Sequence, residues 1–330
     1  MSTLSRAVRI TQAGGPEVLS LGEIQVRDPG AQEVLVQIAA SGLNRADALQ
    51  RKGVYPAPAG TVPDVPGLEF SGKVAKIGAD VRGFKLGDEV MGICAGGAMA
   101  THLVMHEREL VRVPRGVSLV DAAAIPEVFM TAYDAMFLQA GLVMGERVLI
   151  HAVASGVGTA ALQLALAVGA LPIGTSRSQE KLERVKELGL EHGIVPNEQG
   201  FAEQLKGATQ GALADVILDT VGAKYLAENV KAAANGGRIV TIGLLGGVKA
   251  ELPLGLVVAK RVSLRGSVLR SRPLEEKAAL AQAFARSVVP LFERGLLKPV
   301  IAEVMPMTEI REAHRRLEAD EVIGKLVLSW

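Results

Sequence analysis

Short runs of alternating apolar and polar residues fill the first third of the chain, at 7–10, 19–26, 34–40, 72–78, 89–93 and 101–105. Gly and Pro separate them, as in Asp28-Pro29-Gly30 and Tyr55-Pro56-Ala57-Pro58. Short strands spaced in this way predict an irregular β-rich domain, a partly open barrel. Near residue 120 the rhythm changes. Helical periodicity over 121–139 is followed by an apolar strand at 148–154, a small-residue helix at 157–168 and a strand at 171–175. A charged amphipathic helix at 179–188, a strand at 214–218, a helix at 224–234 and strands at 238–242 and 262–268 continue the series. Strands alternating with helices predict an α/β, doubly wound parallel sheet. The tail, helical over 274–294 and extended over 323–328, departs from that repeat and is expected to return to the first domain.

Composition narrows the function classes. At 330 residues, a domain size of ~150 gives about two domains. Thirty-six Lys and Arg against 35 Asp and Glu leave a net charge of +1, with no run of like charge to hold nucleic acid or an anionic membrane. Seven Phe, three Tyr and one Trp are few, so the core is expected to be aliphatic. Cys94 stands alone and forms neither an internal disulfide nor a Cys-cluster metal site. The opening Met1–Arg6 has no apolar signal-peptide core, and a cytoplasmic location fits. Residues 148–176 carry no Asp, Glu, Lys or Arg and are long enough to span a bilayer. Gly156, Gly158, Gly169, Pro172 and Gly174 divide that run into strand, helix and strand, so a buried βαβ unit is expected instead.

That unit carries the first chemical signal. The strand ending in His151-Ala152 leads into Val153-Ala154-Ser155-Gly156-Val157-Gly158 and then a helix. A dinucleotide fingerprint has glycine at three places of this turn, which here hold Val153, Ser155 and Gly158, with Gly156 added. The letters match imperfectly; the strand–turn–helix context matches, with backbone N–H groups at a helix start available to a diphosphate. An ordinary turn of an α/β core is the alternative. The next strand ends in Thr175-Ser176-Arg177-Ser178-Gln179-Glu180-Lys181. A ribose without a 2′-phosphate is usually held there by an Asp or Glu, and none is present. Ser176, Arg177 and Lys181 suit the 2′-phosphate of NADPH, unless the cations only solvate a helix start.

Further segments resemble a known family. They are Asn44-Arg45-Ala46-Asp47, Gln50–Tyr55, Pro66–Gly72, Phe84–Val90, Ala122–Glu127, Thr131-Ala132-Tyr133, His151–Gly158, Ile217-Leu218-Asp219, Leu269–Arg272 and Ile323–Val327. In this order and spacing the chain resembles the zinc-independent medium-chain dehydrogenases/reductases of quinone oxidoreductase type. It is most similar to the tumour-suppressor-inducible branch, with zeta-crystallin more distant. The resemblance implies a GroES-like catalytic domain over 1–122 and 268–330 and a Rossmann domain over 123–267. It also implies hydride transfer from NADPH to a quinone in a cleft between the domains, and a homodimer paired through the Rossmann edge strand near 262–268.

Zinc chemistry is not expected. In zinc-dependent relatives a Cys and a His hold the metal where this chain has Asn44 and Leu68, and the four-Cys lobe has no counterpart. Without a Lewis acid an ordinary ketone is a poor acceptor, whereas a quinone or activated enone delocalises the incoming electrons. Tyr55 is the first candidate to meet the acceptor oxygen, with an aromatic loop plug as the alternative. The resemblance implies Asn44 beside the nicotinamide or its ribose, although a strand-end turn former has the same composition. Thr131 is a candidate cofactor contact or a helix cap. Glu127 and Phe129 are candidates for the substrate pocket. Gly243, Leu244 and Leu245 follow a strand end, where such sheets bind ligands. Leu269 and Arg270 resemble residues lining the nicotinamide side, and Lys325 matches a terminal Gly-Lys signature that a salt bridge also explains. Pro196 stands where relatives carry a Tyr near the adenosine phosphate, and His102 stands at a usual Tyr position. The runner-up activity is C=C reduction of enones or alkenals; a nucleotide-binding module with a structural or RNA-related role is a third reading.

Overall fold

A computed structural model describes residues 2–198 and 200–330 and divides the chain into two compact units. The first runs up to Met130 and resumes over Leu269–Trp330; the second is Thr131–Val268. The division falls inside one helix, Pro126–Tyr133, eight residues beyond the boundary read from the sequence.

In the first unit, β1 (Ser2–Ile10) and β2 (Leu19–Arg27) form an antiparallel pair. A larger sheet joins β3 (Glu33–Gly42), β4 (Glu69–Ile77), β5 (Glu89–Ile93), β6 (His102–His106) and β7 (Leu110–Arg112) with two strands of the tail, β14 (Ile301–Pro306) and β15 (Lys325–Ser329). Its order is β14-β15-β3-β4-β5-β7, with β6 pairing on β3. The tail therefore returns to this unit: Leu328 registers with Ser41 in the antiparallel β15–β3 pair. Inward positions of the alternating strands fill one core, with Val34, Val36, Ile38, Phe70, Val74 and Val90 buried together. The second core packs Leu43 and Met99 against Leu326, Leu328 and Ile310 of the tail.

The second unit is a six-stranded parallel sheet. Its strands are β8 (Arg147–Ile150), β9 (Leu171–Thr175), β10 (His192–Ile194), β11 (Ala214–Asp219), β12 (Ala233–Thr241) and β13 (Ser263–Gly266). The order β10-β9-β8-β11-β12-β13 reverses direction of growth beside β8, the switch point at which such sheets bind ligands. Leu149, Ile173, Ile217 and Ile239 lie in one buried cluster, as both-faces-covered parallel strands require. β13 is an edge strand whose residues are all exposed. No helix among the described residues is long and apolar enough to cross a membrane. The uncharged run divides into β8, the helix Gly156–Ala167 and β9.

Three differences from the sequence reading have local causes. The strand predicted over 148–154 stops at Ile150, because the chain turns with Ala152 at φ 50°. The helix predicted over 274–294 is two helices, Leu274–Ser287 and Val289–Glu293, the second opening with Pro290 where a proline is tolerated. Strands β7 and β10 have three residues each, too short for a readable period.

Candidate functional site

The candidate residues form two groups, one in each unit. In the second unit, the turn after β8 starts the helix Gly156–Ala167. Ser155 caps it, its Oγ accepting from Gly158 N at 3.1 Å. Gly158 has a steric reason: a Cβ there would lie 2.3 Å from Ala152 O and 2.6 Å from the Val153 backbone. The N–H groups of Gly156 and Val157 have no acceptor among the described residues and stand at the positive end of the helix. Two free donors, a close-approach glycine and a left-handed Ala152 fit a dinucleotide diphosphate.

β9 is parallel to β8, so its end reaches the same sheet edge. Ser176 is buried, its Oγ accepting from Ser178 N at 3.2 Å, and Arg177 is exposed. Ser178 caps the next helix, Gln179–Lys186, through Lys181 N at 3.2 Å. Below them His151 is enclosed, with Nδ1 2.9 Å from Thr175 Oγ1 and Nε2 2.7 Å from Asn229 Oδ1. The Tyr225 ring lies 4.8 Å from that imidazole; burial raises its hydroxyl pKa, opposed by the charge of Arg177. Sequence reading singled out neither His151 for this role nor Tyr225, because side chains brought together from two strand ends and a distant helical segment leave no spacing. At the end of β11, Asp219 accepts from Val221 N at 2.8 Å and Gly222 N at 3.0 Å, fixing the adjacent loop. After β12 come Gly243, half-buried, and the exposed Leu244 and Leu245. Thr131 lies in the second turn of its helix, so it caps no helix start.

The first unit gathers a buried charged cluster. β3 ends at Gly42, and Asn44 precedes the helix Arg45–Arg51. Asp47 reaches back to Asn44 N at 2.8 Å and forward to Gly67 N at 2.9 Å. Gly67 has φ 105° and would drive a Cβ to 2.5 Å from Met99 N, so only glycine suits this approach. Lys325 Nζ donates to Leu43 O at 2.8 Å and Asn44 Oδ1 at 2.6 Å, and it forms an ion pair with Glu69 Oε1 at 2.6 Å. Glu69 Oε1 also accepts from Asn44 Nδ2 at 2.8 Å, and Oε2 from Glu127 N at 2.8 Å. Breaking such a buried pair by removing one partner typically costs about 3–5 kcal/mol.

Arg270 is buried beside this cluster. Its Nε donates to Ala95 O at 2.7 Å, Nη2 to Gln50 Oε1 at 2.5 Å and Nη1 to Tyr55 O at 3.3 Å. The guanidinium also lies 5.0 Å from the Tyr55 ring centre. Arg270 thus clamps the Tyr55 loop, while the Tyr55 hydroxyl makes no hydrogen bond to a described residue. Leu269, just before it, is buried. Phe129 is a correction: its ring is 1% exposed and packs edge-on against Phe292 at 4.8 Å, which makes it a core residue and leaves no face for a substrate. Lys325, read as a cofactor contact, is buried, with its ammonium directed to Leu43 O, Asn44 Oδ1 and Glu69 Oε1.

Burial pushes the Glu127 carboxyl up to about 8, with the negative charges of Glu69 and Asp47 adding and Lys325 and Arg270 opposing. Burial likewise pushes Asp47 up to about 6, against the two backbone N–H groups it accepts from. The sign for Glu127 follows from linkage. Its folded value lies above the ordinary 4.5, so the folded state holds a proton that the unfolded chain releases. Its contribution to stability therefore falls as pH rises from about 4.5 to about 8. Glu127→Gln has no proton to lose, so its unfolding midpoint relative to wild type should climb between pH 5 and pH 8. A constant difference across that range contradicts the raised value.

The zinc-ligand positions do not fit zinc. Leu68 is an enclosed aliphatic side chain, and the Asn44 oxygen faces the Lys325 ammonium, a cation already in place. Among the described residues no group of three or more His, Cys, Asp or Glu is arranged to hold a metal. Glu69 and Asp47 are the central residues that sequence reading did not single out. The spacing Asn44-x-x-Asp47 is a helix-start signature that points to Asp47. Nothing local marks Glu69, whose partners come from the start of the helix Arg45–Arg51, the helix at Pro126 and the terminal strand.

Comparison with known proteins agrees with this architecture. Residues 30–115 match the alcohol dehydrogenase GroES-like domain family, and residues 156–286 match the family described as zinc-binding dehydrogenase. The chain is 32% identical to a quinone oxidoreductase of Pseudomonas aeruginosa over 98% of this chain and 99% of that protein. A solved quinone oxidoreductase of Pseudomonas syringae pv. Tomato DC3000 superposes with a TM-score of 0.86 at 31% identity, covering 99% of this chain and all of the other. The JamJ enoyl reductase superposes with a TM-score of 0.88 at 28% identity, covering 99% of each chain. With a GroES-like unit, a switch-point sheet and full-length likeness to these enzymes, the chain belongs to the medium-chain dehydrogenase/reductase family, among the quinone oxidoreductases.

Proposed function

We propose that the protein transfers hydride from NADPH to a quinone without a metal ion. The observation that carries this reading is the end of β9: Ser176 and Arg177 stand where a carboxylate would select an unphosphorylated ribose. When bound, NADPH supplies the two electrons and one proton of a hydride, and a second proton completes the hydroquinone. The N–H groups of Gly156 and Val157 donate to the diphosphate, while Ser176, Arg177 and Lys181 take the 2′-phosphate. Gly243, Leu244 and Leu245 follow β12 at the same sheet edge and border the nucleotide there. Asn44 contacts the nicotinamide half, and Leu269 gives it an apolar wall. Tyr55, held by Arg270, donates its hydroxyl hydrogen to the acceptor oxygen as negative charge develops there. Glu127 holds a proton near neutral pH beside these groups.

The test is the initial rate of NADPH oxidation with and without 1,2-naphthoquinone, with NADH in parallel. A quinone-dependent rate that strongly favours NADPH supports the reading; equal rates with NADH remove the phosphate assignment. Tyr55→Phe should lower quinone turnover about tenfold, the value of one hydrogen bond, with NADPH affinity unchanged. Unchanged turnover removes the hydroxyl's role. Likeness to an enoyl reductase favours a second reading, reduction of a conjugated C=C bond. Faster turnover of an enone than of a quinone of similar size selects it. NADPH binding with no acceptor reduced selects a nucleotide-binding role instead.

We also propose a homodimer in which β13 pairs with its copy. An exposed edge strand carrying Leu264, with exposed Val268 following it, is the kind of edge that proteins cover. Light scattering that reports a monomer at micromolar concentration overturns this assembly.

A further inference from the structure

Lys325 is a buried cation for which the proposed reaction has no direct use. Its ammonium donates to Leu43 O and Asn44 Oδ1 and forms an ion pair with Glu69 Oε1, and its side chain is 4% exposed. It is therefore turned to protein oxygens and away from solvent. What it does have is a neighbour whose direction it controls. A carboxamide is nearly symmetric in shape, and Asn44 would occupy its site equally well with oxygen and nitrogen exchanged. Lys325 can only donate, so it requires the oxygen on its side. Glu69 can only accept, so it requires the nitrogen, which it meets at 2.8 Å. The second Nδ2 hydrogen faces Gly42 O at 3.3 Å. Both amide hydrogens are thus directed to protein oxygens, and Oδ1 is the only acceptor of the group.

We propose that Lys325 is a positioning residue which, with Glu69, locks the Asn44 amide so that it offers a bound nucleotide an acceptor and never a donor. The inference rests on the reading above that Asn44 meets the nicotinamide half of NADPH. It specifies the chemistry of that contact: the group facing Asn44 is a hydroxyl or an amide N–H, such as a ribose hydroxyl or the carboxamide of the nicotinamide. A phosphate oxygen or a carbonyl has no hydrogen to give there.

The test combines Lys325→Met, Asn44→Ala and the double variant in direct NADPH titrations by nicotinamide fluorescence, with no acceptor present. Each single substitution should weaken NADPH about tenfold, and the double should be no weaker than the poorer single. Multiplying losses overturn the proposal, because Lys325 then acts on the fold and not through Asn44. Should Lys325→Met fail to fold, the wild-type protein decides. Its Asn44 side-chain amide protons, assigned by the signals lost in Asn44→Ala, should exchange with solvent far more slowly than those of exposed Asn side chains before any NADPH is added. Exchange as fast as that of exposed Asn side chains overturns the lock. Wild-type protein that binds no NADPH overturns the functional reading, and the amide exchange still tests the lock.

Discussion

Arg177→Ala should raise the dissociation constant for NADPH by roughly 10- to 100-fold and leave that for NADH within about twofold. The first figure follows from losing a hydrogen bond between two charged groups, typically about 1.5–3 kcal/mol. The second follows because NADH lacks the 2′-phosphate. Arg177 is exposed, so ions screen its attraction and the loss should shrink toward the lower figure at high salt. Lys181 lies one helical turn on and shares the charge, so Arg177→Ala/Lys181→Ala should lose more than either alone. Isothermal titration with both nucleotides checks each statement. Equal weakening of NADPH and NADH removes Arg177 from phosphate recognition and points to a general effect on the loop after β9.

Glu69→Gln should be the most costly isosteric change in the first unit. Glu69 is fully enclosed, accepts hydrogen bonds from Asn44 Nδ2 at Oε1 and from Glu127 N at Oε2, and pairs with the Lys325 ammonium at Oε1. A carboxamide in its place must turn an N–H₂ toward one of these donors, whichever way it rotates. It also leaves the Lys325 ammonium without its counter-charge. The expected loss is about 3–5 kcal/mol, or on the order of 10 °C in the unfolding transition of a unit of this size. Glu183→Gln is the control. Glu183 pairs with Lys186 at 2.6 Å on an exposed helix face, where water and salt screen the pair, so its transition should barely move. Similar shifts for both variants contradict the proposed weight of the buried cluster.

The two sites differ in how far they can be read from the chain alone. In the second unit, the turn from Val153 to Gly158 and the strand tip from Thr175 to Lys181 are contiguous, and each interaction that shapes them is local. The missing carboxylate after β9 is visible in the letters. In the first unit, Asn44, Glu69, Glu127 and Lys325 are far apart in sequence, and the hydrogen bonds among them cross two antiparallel strand pairings. Single residues could be nominated there, but not their partners. Phe129 illustrates the limit: an aromatic on a helix beside a candidate site reads as a pocket wall until its ring is found against Phe292.

The sequence by itself determined the alternation of strand and helix, the doubly wound class, the strand–turn–helix around Val153–Gly158 and the absence of Cys and His at positions 44 and 68. These are properties of period and of residue identity, which act over one or two turns of chain. Only the tertiary structure decided that Lys325 faces inward onto Asn44 and Glu69, that Arg270 clamps the Tyr55 loop, and that burial near Glu69 and Asp47 pushes the Glu127 carboxyl up. A long cationic side chain reads alike whether it meets water, a phosphate or a buried carboxylate. The choice is made by the desolvation that packing imposes and by the acceptors that distant strands bring within 3 Å of it.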